Sequence, residues 1–117
     1  MSGYNKNFGA YGEQLAAEYL KKNRYKIMER NFCTPYGEID IVAKDKKTVV
    51  FIEVKTRSSE KYGTGLDAIN AKKRKTMLKC AEFYISAKRI KSPVRIDVIS
   101  IDTSLAGGIT HIKGALE

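Results

Sequence analysis

The chain has 117 residues, 43% of them hydrophobic, and 22 Lys and Arg against 13 Asp and Glu give a formal net charge of +9. That length suits one domain, 1–117, with a modest core, and the apolar fraction excludes a disordered chain. No apolar run approaches the roughly 20 residues that span a bilayer, and so large a basic surplus points to a polyanionic partner, nucleic acid ahead of an anionic membrane surface.

Met1–Asn7 carries no apolar stretch of the kind a secretory leader needs, and residues 1–6 are polar and expected to fray. Asn7 is placed to cap a helix over about Phe8–Asn23, with Phe8, Tyr11, Leu15, Ala16, Tyr19 and Leu20 at helical spacing as its buried stripe. Lys21 and Lys22 suit the C-terminal end of that helix, and Glu13 suits its N-terminal end. Tyr25–Asn31 alternates as a short strand, and Phe32–Tyr36, with Thr34-Pro35, reads as a turn. Cys33 and Cys80 form no close-spaced metal motif and no disulfide framework, which fits a reducing cytoplasm.

Two apolar, β-branched runs follow, Ile39–Ala43 and Val49–Val54, flanking the polar turn Lys44–Thr48; they read as a β-hairpin. Val50, Ile52 and Val54 fall on one face, and Val49, Phe51, Glu53 and Lys55 on the other. With Asp45-Lys46-Lys47-Thr48 as the loop, Asp40 lies directly opposite Glu53; a two-residue loop would shift the pairing by two and leave them diagonal neighbours on the same face. Directly opposed Cβ atoms lie about 4.5–5.5 Å apart, so the two carboxylates repel unless one is protonated or a cation sits between them. Lys55 could supply part of that positive charge, and a divalent metal would supply more. Glu38 shares the face of Asp40 and stands as a reserve ligand.

Ser58–Gly65 is a polar loop with two glycines, and Arg57 just before it, with Ser58, Ser59 and Lys61 within it, are candidate phosphate contacts. Leu66 to about Lys88 reads as a second long helix, with Ile69, Met77, Cys80, Ala81, Tyr84 and Ile85 as its apolar stripe. Its first half holds Lys72, Lys73, Arg74, Lys75 and Lys79, a crowding of like charge that a phosphate backbone would relieve. Ser92-Pro93 breaks the chain, and Val94–Ile101 reads as a buried strand on which Arg95 and Asp97 share a face and are expected to pair. Ala106-Gly107-Gly108 is a turn, and Ile109–Ile112 a short edge strand. His111, the lone histidine, is read as a surface or hydrogen-bonded residue rather than a base.

Asp40, twelve residues, then Glu53-Val54-Lys55 resembles the PD-(D/E)XK nuclease signature, found in type II restriction enzymes and archaeal Holliday-junction resolvases. The wider pattern resembles the YraN-type family of small bacterial endonuclease-like proteins within that superfamily. It is carried by Gly12-Glu13, Arg30-Asn31, Gly37-Glu38-Ile39-Asp40, Phe51-Ile52-Glu53-Val54-Lys55-Thr56-Arg57, Lys72-Lys73 and Arg95-Ile96-Asp97-Val98, which cover nearly the whole chain. Arg74 departs from the pattern, which usually has Lys-Gln where this chain has Lys73-Arg74.

The element order of helix, strand, hairpin, helix, strand, strand suggests an α/β domain with a central mixed sheet flanked by helices. The resemblance implies the same thing: a restriction-endonuclease-like αβββαβ core. It also implies a metal-dependent endonuclease cutting DNA, with branched or junction DNA a candidate substrate, 5′-phosphate products and a homodimer if two strands are cut. Asp40 and Glu53 would hold Mg²⁺ or Mn²⁺ with the carbonyl of Val54, Lys55 would assist the attacking water, and Glu13 would lean over the metal from the first helix. Arg57, Ser58, Lys61, Lys72, Lys73, Arg74 and Lys75 would meet phosphates. Two alternatives stand beside this reading: a nucleic-acid-binding module that performs no chemistry and acts with a partner protein, and a domain that binds an anionic protein.

Overall fold

The structure, a computed structural model, describes residues 6–57, 71–104 and 108–116, without the side chains of 6–8. The helix α1 (Lys6–Lys22) leads into β1 (Lys26–Thr34), β2 (Gly37–Asp45) and β3 (Thr48–Arg57); α2 (Ala71–Ala87) then crosses to β4 (Val94–Asp102) and β5 (Gly108–Ile112). The strands form one sheet in the order β1-β2-β3-β4-β5. β1, β2 and β3 make an antiparallel meander, β4 adds parallel to β3, and β5 returns antiparallel along β4. This is the expected α/β arrangement, a mixed sheet consistent with a restriction-endonuclease-like αβββαβ core.

Alternation along β3 builds the two layers. Val50, Ile52 and Val54 join Ile41, Ala43, Ile99 and Ile101 beneath Ala16, Ala17 and Leu20 of α1. Val49 and Phe51 join Ile39 and Val42 beneath Cys80, Ala81 and Tyr84 of α2. Leu20, Ile41, Ile52 and Ile99 are each fully buried, a contribution of about 1.5–3 kcal/mol apiece from area removed from water. Close approach of α1 to β3 depends on Gly12: a Cβ there would stand 1.8 Å from Thr56 Oγ1.

Several boundaries differ from the sequence reading. Asn7 lies inside the first turn of α1 rather than capping it, and Tyr11, expected in the buried stripe, is 55% exposed. Phe32–Thr34 continues β1 instead of turning, because Phe32 has an aromatic cluster to join: its ring meets that of Tyr84 edge-on at 5.0 Å. Turning is left to Pro35 and Tyr36, where Thr34 Oγ1 accepts the N–H groups of Tyr36 and Gly37. The hairpin loop is two residues, Lys46-Lys47, with Lys46 at a φ of 58°. Asp45 pairs with Thr48 across it, so the shorter loop keeps the register expected for the four-residue one instead of shifting it. Leu66–Asn70 and the loop from Ser58 fall outside the described residues, and Ala106 and Gly107 do too.

Candidate acidic site

The hairpin register runs Asp45↔Thr48 to Ile41↔Ile52 and stops there. One step further, where Asp40 and Glu53 would pair, β2 and β3 part. In place of the ladder bond, the Val54 N–H donates to Asp40 Oδ2 at 2.8 Å. The expected direct opposition of Asp40 and Glu53 is thus replaced by an opening between two strands. The N–H and C=O of one strand residue point to the same edge, so the Val54 carbonyl faces that opening as well.

What parts the strands is a break in alternation. Ile39 belongs to the layer under α2 and Ile41 to the layer under α1, although residues two apart on a strand ordinarily share a face. Across from Asp40 on β1, Asn31 has a φ of 52°. Asn tolerates that left-handed conformation better than most residues, so both strands change face at one level and Asp40 is aimed into the gap. The Asn31 amide then donates to Glu13 Oε1 at 2.9 Å and reaches Glu38 Oε1 at 3.4 Å, tying α1 to the mouth of the site.

Gly9, Glu13, Glu38, Asp40, Glu53, Val54, Lys55 and Thr56 line a single cavity of about 350 Å³. Glu53 is only 8% exposed. Its Oε2 lies 3.3 Å from Lys55 Nζ and 3.2 Å from Lys73 Nζ. Burial, together with the charges of Glu53 and Glu13, raises the Asp40 carboxyl to about 7, against the lowering influence of the Val54 N–H and Lys73. Burial leads this shift, and the charge of Lys73 only partly offsets it and the acidic neighbours.

Among the described residues no group of three or more His, Cys, Asp or Glu side chains is gathered as a metal cage. The donor set that does exist is two carboxylates and a backbone carbonyl. Such oxygen donors suit a hard cation that keeps several of its own waters, and the electrostatic deficit at Asp40 is what such a cation would fill.

The structure thus brings together Asp40, Glu53, Val54, Lys55 and Glu13. It adds Lys73, expected on a phosphate-binding surface, as a direct partner of Glu53. Lys72, Arg74 and Lys75 are exposed on α2, and Arg57 is half-buried at the end of β3. Ser58, Ser59 and Lys61 lie outside the described residues. Asn31 and Gly12 fall in the matching pattern, yet neither had a role until the geometry supplied one. The available signal was chemical: Asn favours left-handed backbone, and a helix-interior Gly often marks a close approach.

The pairing of Arg95 with Asp97 is present at 2.9 and 3.0 Å, and His111 is hydrogen-bonded as expected, to Asp97 Oδ2 at 2.7 Å and to the Tyr19 hydroxyl at 3.0 Å. Among the described residues no helix is long and apolar enough to cross a membrane.

Residues 12–101 match the uncharacterised protein family UPF0102. A UPF0102 protein of Geobacter metallireducens is 47% identical over 119 residues, covering 100% of this chain and 98% of the relative. One from Thermodesulfovibrio yellowstonii is 47% identical over 107 residues, 92% of this chain and 93% of the relative, and one from Clostridium botulinum is 50% identical over 99 residues, 83% and 80%. With Asp40, Glu53, Lys55, Lys73 and most of the αβββαβ core falling inside the matched region, the chain belongs to the UPF0102 family, the one to which the YraN-type resemblance points.

Proposed function

We propose that the protein is a metal-dependent nuclease that hydrolyses phosphodiester bonds in DNA. The observation that carries this reading is the parting of β2 from β3, which aims a half-buried Asp40 and a buried Glu53 into one cavity with Lys55. A fold gains no stability from a carboxyl held at about 7 by burial and a neighbouring acid; such groups in a cleft mark chemistry.

Asp40, Glu53 and the Val54 carbonyl would hold Mg²⁺ or Mn²⁺, with Glu13 reaching the same cavity from α1. When bound, such an ion supplies Lewis-acid charge at the phosphate and makes water a stronger nucleophile. Lys55, anchored on Glu53, orients that water and stabilises negative charge growing on the phosphate. Lys73 holds Glu53 until substrate and cation arrive, and then turns to a phosphate. Arg57, Lys72, Arg74 and Lys75 are assigned to phosphate contacts, as are Ser58 and Lys61 from the sequence. Uncatalysed phosphodiester hydrolysis is extremely slow, so charge compensation of this kind is where the rate must come from. Branched DNA cut on two strands would require a second copy of the site, hence a homodimer.

The Lys73–Glu53 pair favours a second reading, in which two ammonium groups stand permanently where a cation would sit and the protein only binds nucleic acid. A cleavage panel of linear, nicked, flapped and four-way-junction DNA with Mg²⁺, Mn²⁺ or EDTA separates the two. Metal-dependent cutting lost in Glu53→Ala and in Lys55→Ala is the expected result. Binding without cutting under every metal, unchanged or tighter in Glu53→Ala, would establish the binder instead.

A further inference from the structure

Beyond the acidic cavity, Tyr36, Lys79, Glu82 and Phe83 line a second one of about 330 Å³. It lies where the β1–β2 turn meets the outer face of α2. Tyr36 is 52% exposed, and the Lys79 ammonium stands 5.5 Å from the centre of its ring. Phe83, one helical turn beyond Lys79, is half-buried, its ring 6.4 Å from that of Phe32, so it is a fixed wall. Lys72, Lys75 and Lys79 follow one another at three and four residues, a single exposed stripe on α2 that ends at this cavity.

The two cavities are joined through the same two elements. Tyr36 precedes Glu38, which lines the acidic cavity, by two residues. Lys79 follows Lys73, the partner of Glu53, by six residues on α2, about 9 Å of helix axis at 1.5 Å per residue. That span corresponds to at most roughly three nucleotides, the figure for the rise of a strand in duplex DNA, and to fewer where the strand is unpaired and extended. An exposed aromatic ring with a cation against it, at the end of a basic stripe, is the combination that holds single strands: a base stacks on the ring and its phosphate meets the cation. A paired base offers no free face to such a ring.

We infer that Tyr36, Phe83 and Lys79 seat an unpaired base of the nucleic-acid strand within about three nucleotides of the acidic cavity. The Glu82 carboxylate accepts a hydrogen bond from an exocyclic amino group of that base. This rests on the nuclease reading and narrows its substrate class to DNA with unpaired nucleotides beside the cut, such as a splayed arm, flap or junction, over continuous duplex.

The test is binding of fluorescently labelled DNA in EDTA, so that it does not depend on cleavage. A single-stranded oligonucleotide, a splayed-arm duplex and a fully paired duplex are compared on the native chain, Tyr36→Ala, Tyr36→Phe and Lys79→Ala. Base stacking on one aromatic ring corresponds to about a 5- to 150-fold change in Kd. Tyr36→Ala should lose that factor on the single strand and the splayed arm, and Tyr36→Phe should retain most of it. Duplex affinity should change less than about twofold in either. Equal losses on all three DNAs would overturn the seat, since they would report only general charge or misfolding, which circular dichroism of each variant checks. No change on any of them would overturn it as well. A chain that cuts DNA with unchanged Tyr36→Ala behaviour would retain the nuclease reading without the seat; a chain that binds no DNA at all would remove both.

Discussion

Two aspartates sit in this small sheet under opposite conditions. Asp97 on β4 is fully buried, and every direction around it is met. Arg95 grips it with Nε and Nη2, His111 Nε2 donates to Oδ2, and the Gly114 N–H donates to Oδ1 at 3.0 Å. The far side of Arg95 is fixed by the Tyr25 hydroxyl at 2.9 Å and by Asp45 at 3.3 Å. Burial pushes the Asp97 carboxyl up, but these hydrogen bonds and the guanidinium outweigh it and hold it below the usual carboxylate range. Asp40 on β2 has one backbone N–H, a second acid nearby and a carboxyl raised to about 7. A buried acid surrounded by donors serves as a joint between elements; a half-buried acid with one donor and an acidic neighbour is the kind of group found at functional sites.

The sharpest way to break that contrast is to neutralise each acid in turn. Asp97→Asn leaves the half-buried Arg95 guanidinium with only the Asp45 carboxylate to balance it, and losing one side of a buried pair costs about 3–5 kcal/mol. The expected result is a fall of more than about 10 °C in Tm, or failure to fold, read by thermal and urea unfolding; a cost under about 1 kcal/mol would show that the Asp97 network is not a structural joint.

Asp40→Asn should do the reverse. Its amide oxygen can still accept the Val54 N–H, so the fold should be retained, while metal-dependent cleavage falls by about 10²–10³-fold. Its stability should also depart from the native chain with pH. The folded-state value of about 7 lies above the ordinary carboxylate value, so stability from the protonated acid is present below about pH 4 and lost as pH rises through 7. In EDTA, urea midpoints of the two proteins should agree near pH 4 and separate in favour of Asp40→Asn by pH 8. A native chain equally stable relative to the variant at both pH values would remove the electrostatic deficit from the argument.

A smaller effect tests the wall rather than the acids. Gly12→Ala would place a methyl 1.8 Å from Thr56 Oγ1 and 2.9 Å from its Cβ, so α1 must shift from β3 and carry Glu13 with it. Overpacking of this kind costs about 1–3 kcal/mol. Pairing it with Thr56→Gly should restore most of the loss in a denaturant titration, whereas Thr56→Ala, which keeps the Cβ, should restore less.

How much of this was legible in the sequence differs between the two aspartates. Alternation along Val49–Lys55 set the faces of β3 correctly, and the Arg95–Asp97 pair followed from two residues sharing a face. The hairpin keeps the register expected for the four-residue loop although its turn is two residues, with Asp45 paired to Thr48; the shift expected for a two-residue loop does not occur. The opening at Asp40 was not legible. Periodicity assumes that alternation continues, and here it fails at a single left-handed Asn31 on the neighbouring strand. Nor could the sequence place His111 on Asp97, since fourteen residues and a reversal of the chain separate them. Tyr11 differs for a simpler reason: helical spacing marks a stripe but not where its edge falls, and Tyr11 lies on the exposed side of that edge.

The one parallel pairing among the described strands, β3 with β4, bears on the order in which the molecule forms. The meander from β1 to β3 closes through loops of two residues, contacts a chain finds quickly. β4 must instead find β3 across the whole α2 segment, and such non-local pairing is entropically slow. Lys73, carried by α2, belongs to that late half, whereas Asp40 and Glu53 belong to the early one. The acids therefore come together with only Lys55 beside them before Lys73 arrives, and the refolding rate of the native chain should rise as the pH is lowered or as salt is added, by more than that of Asp40→Asn. A site shaped for binding charge would in this way slow the assembly of the protein that carries it.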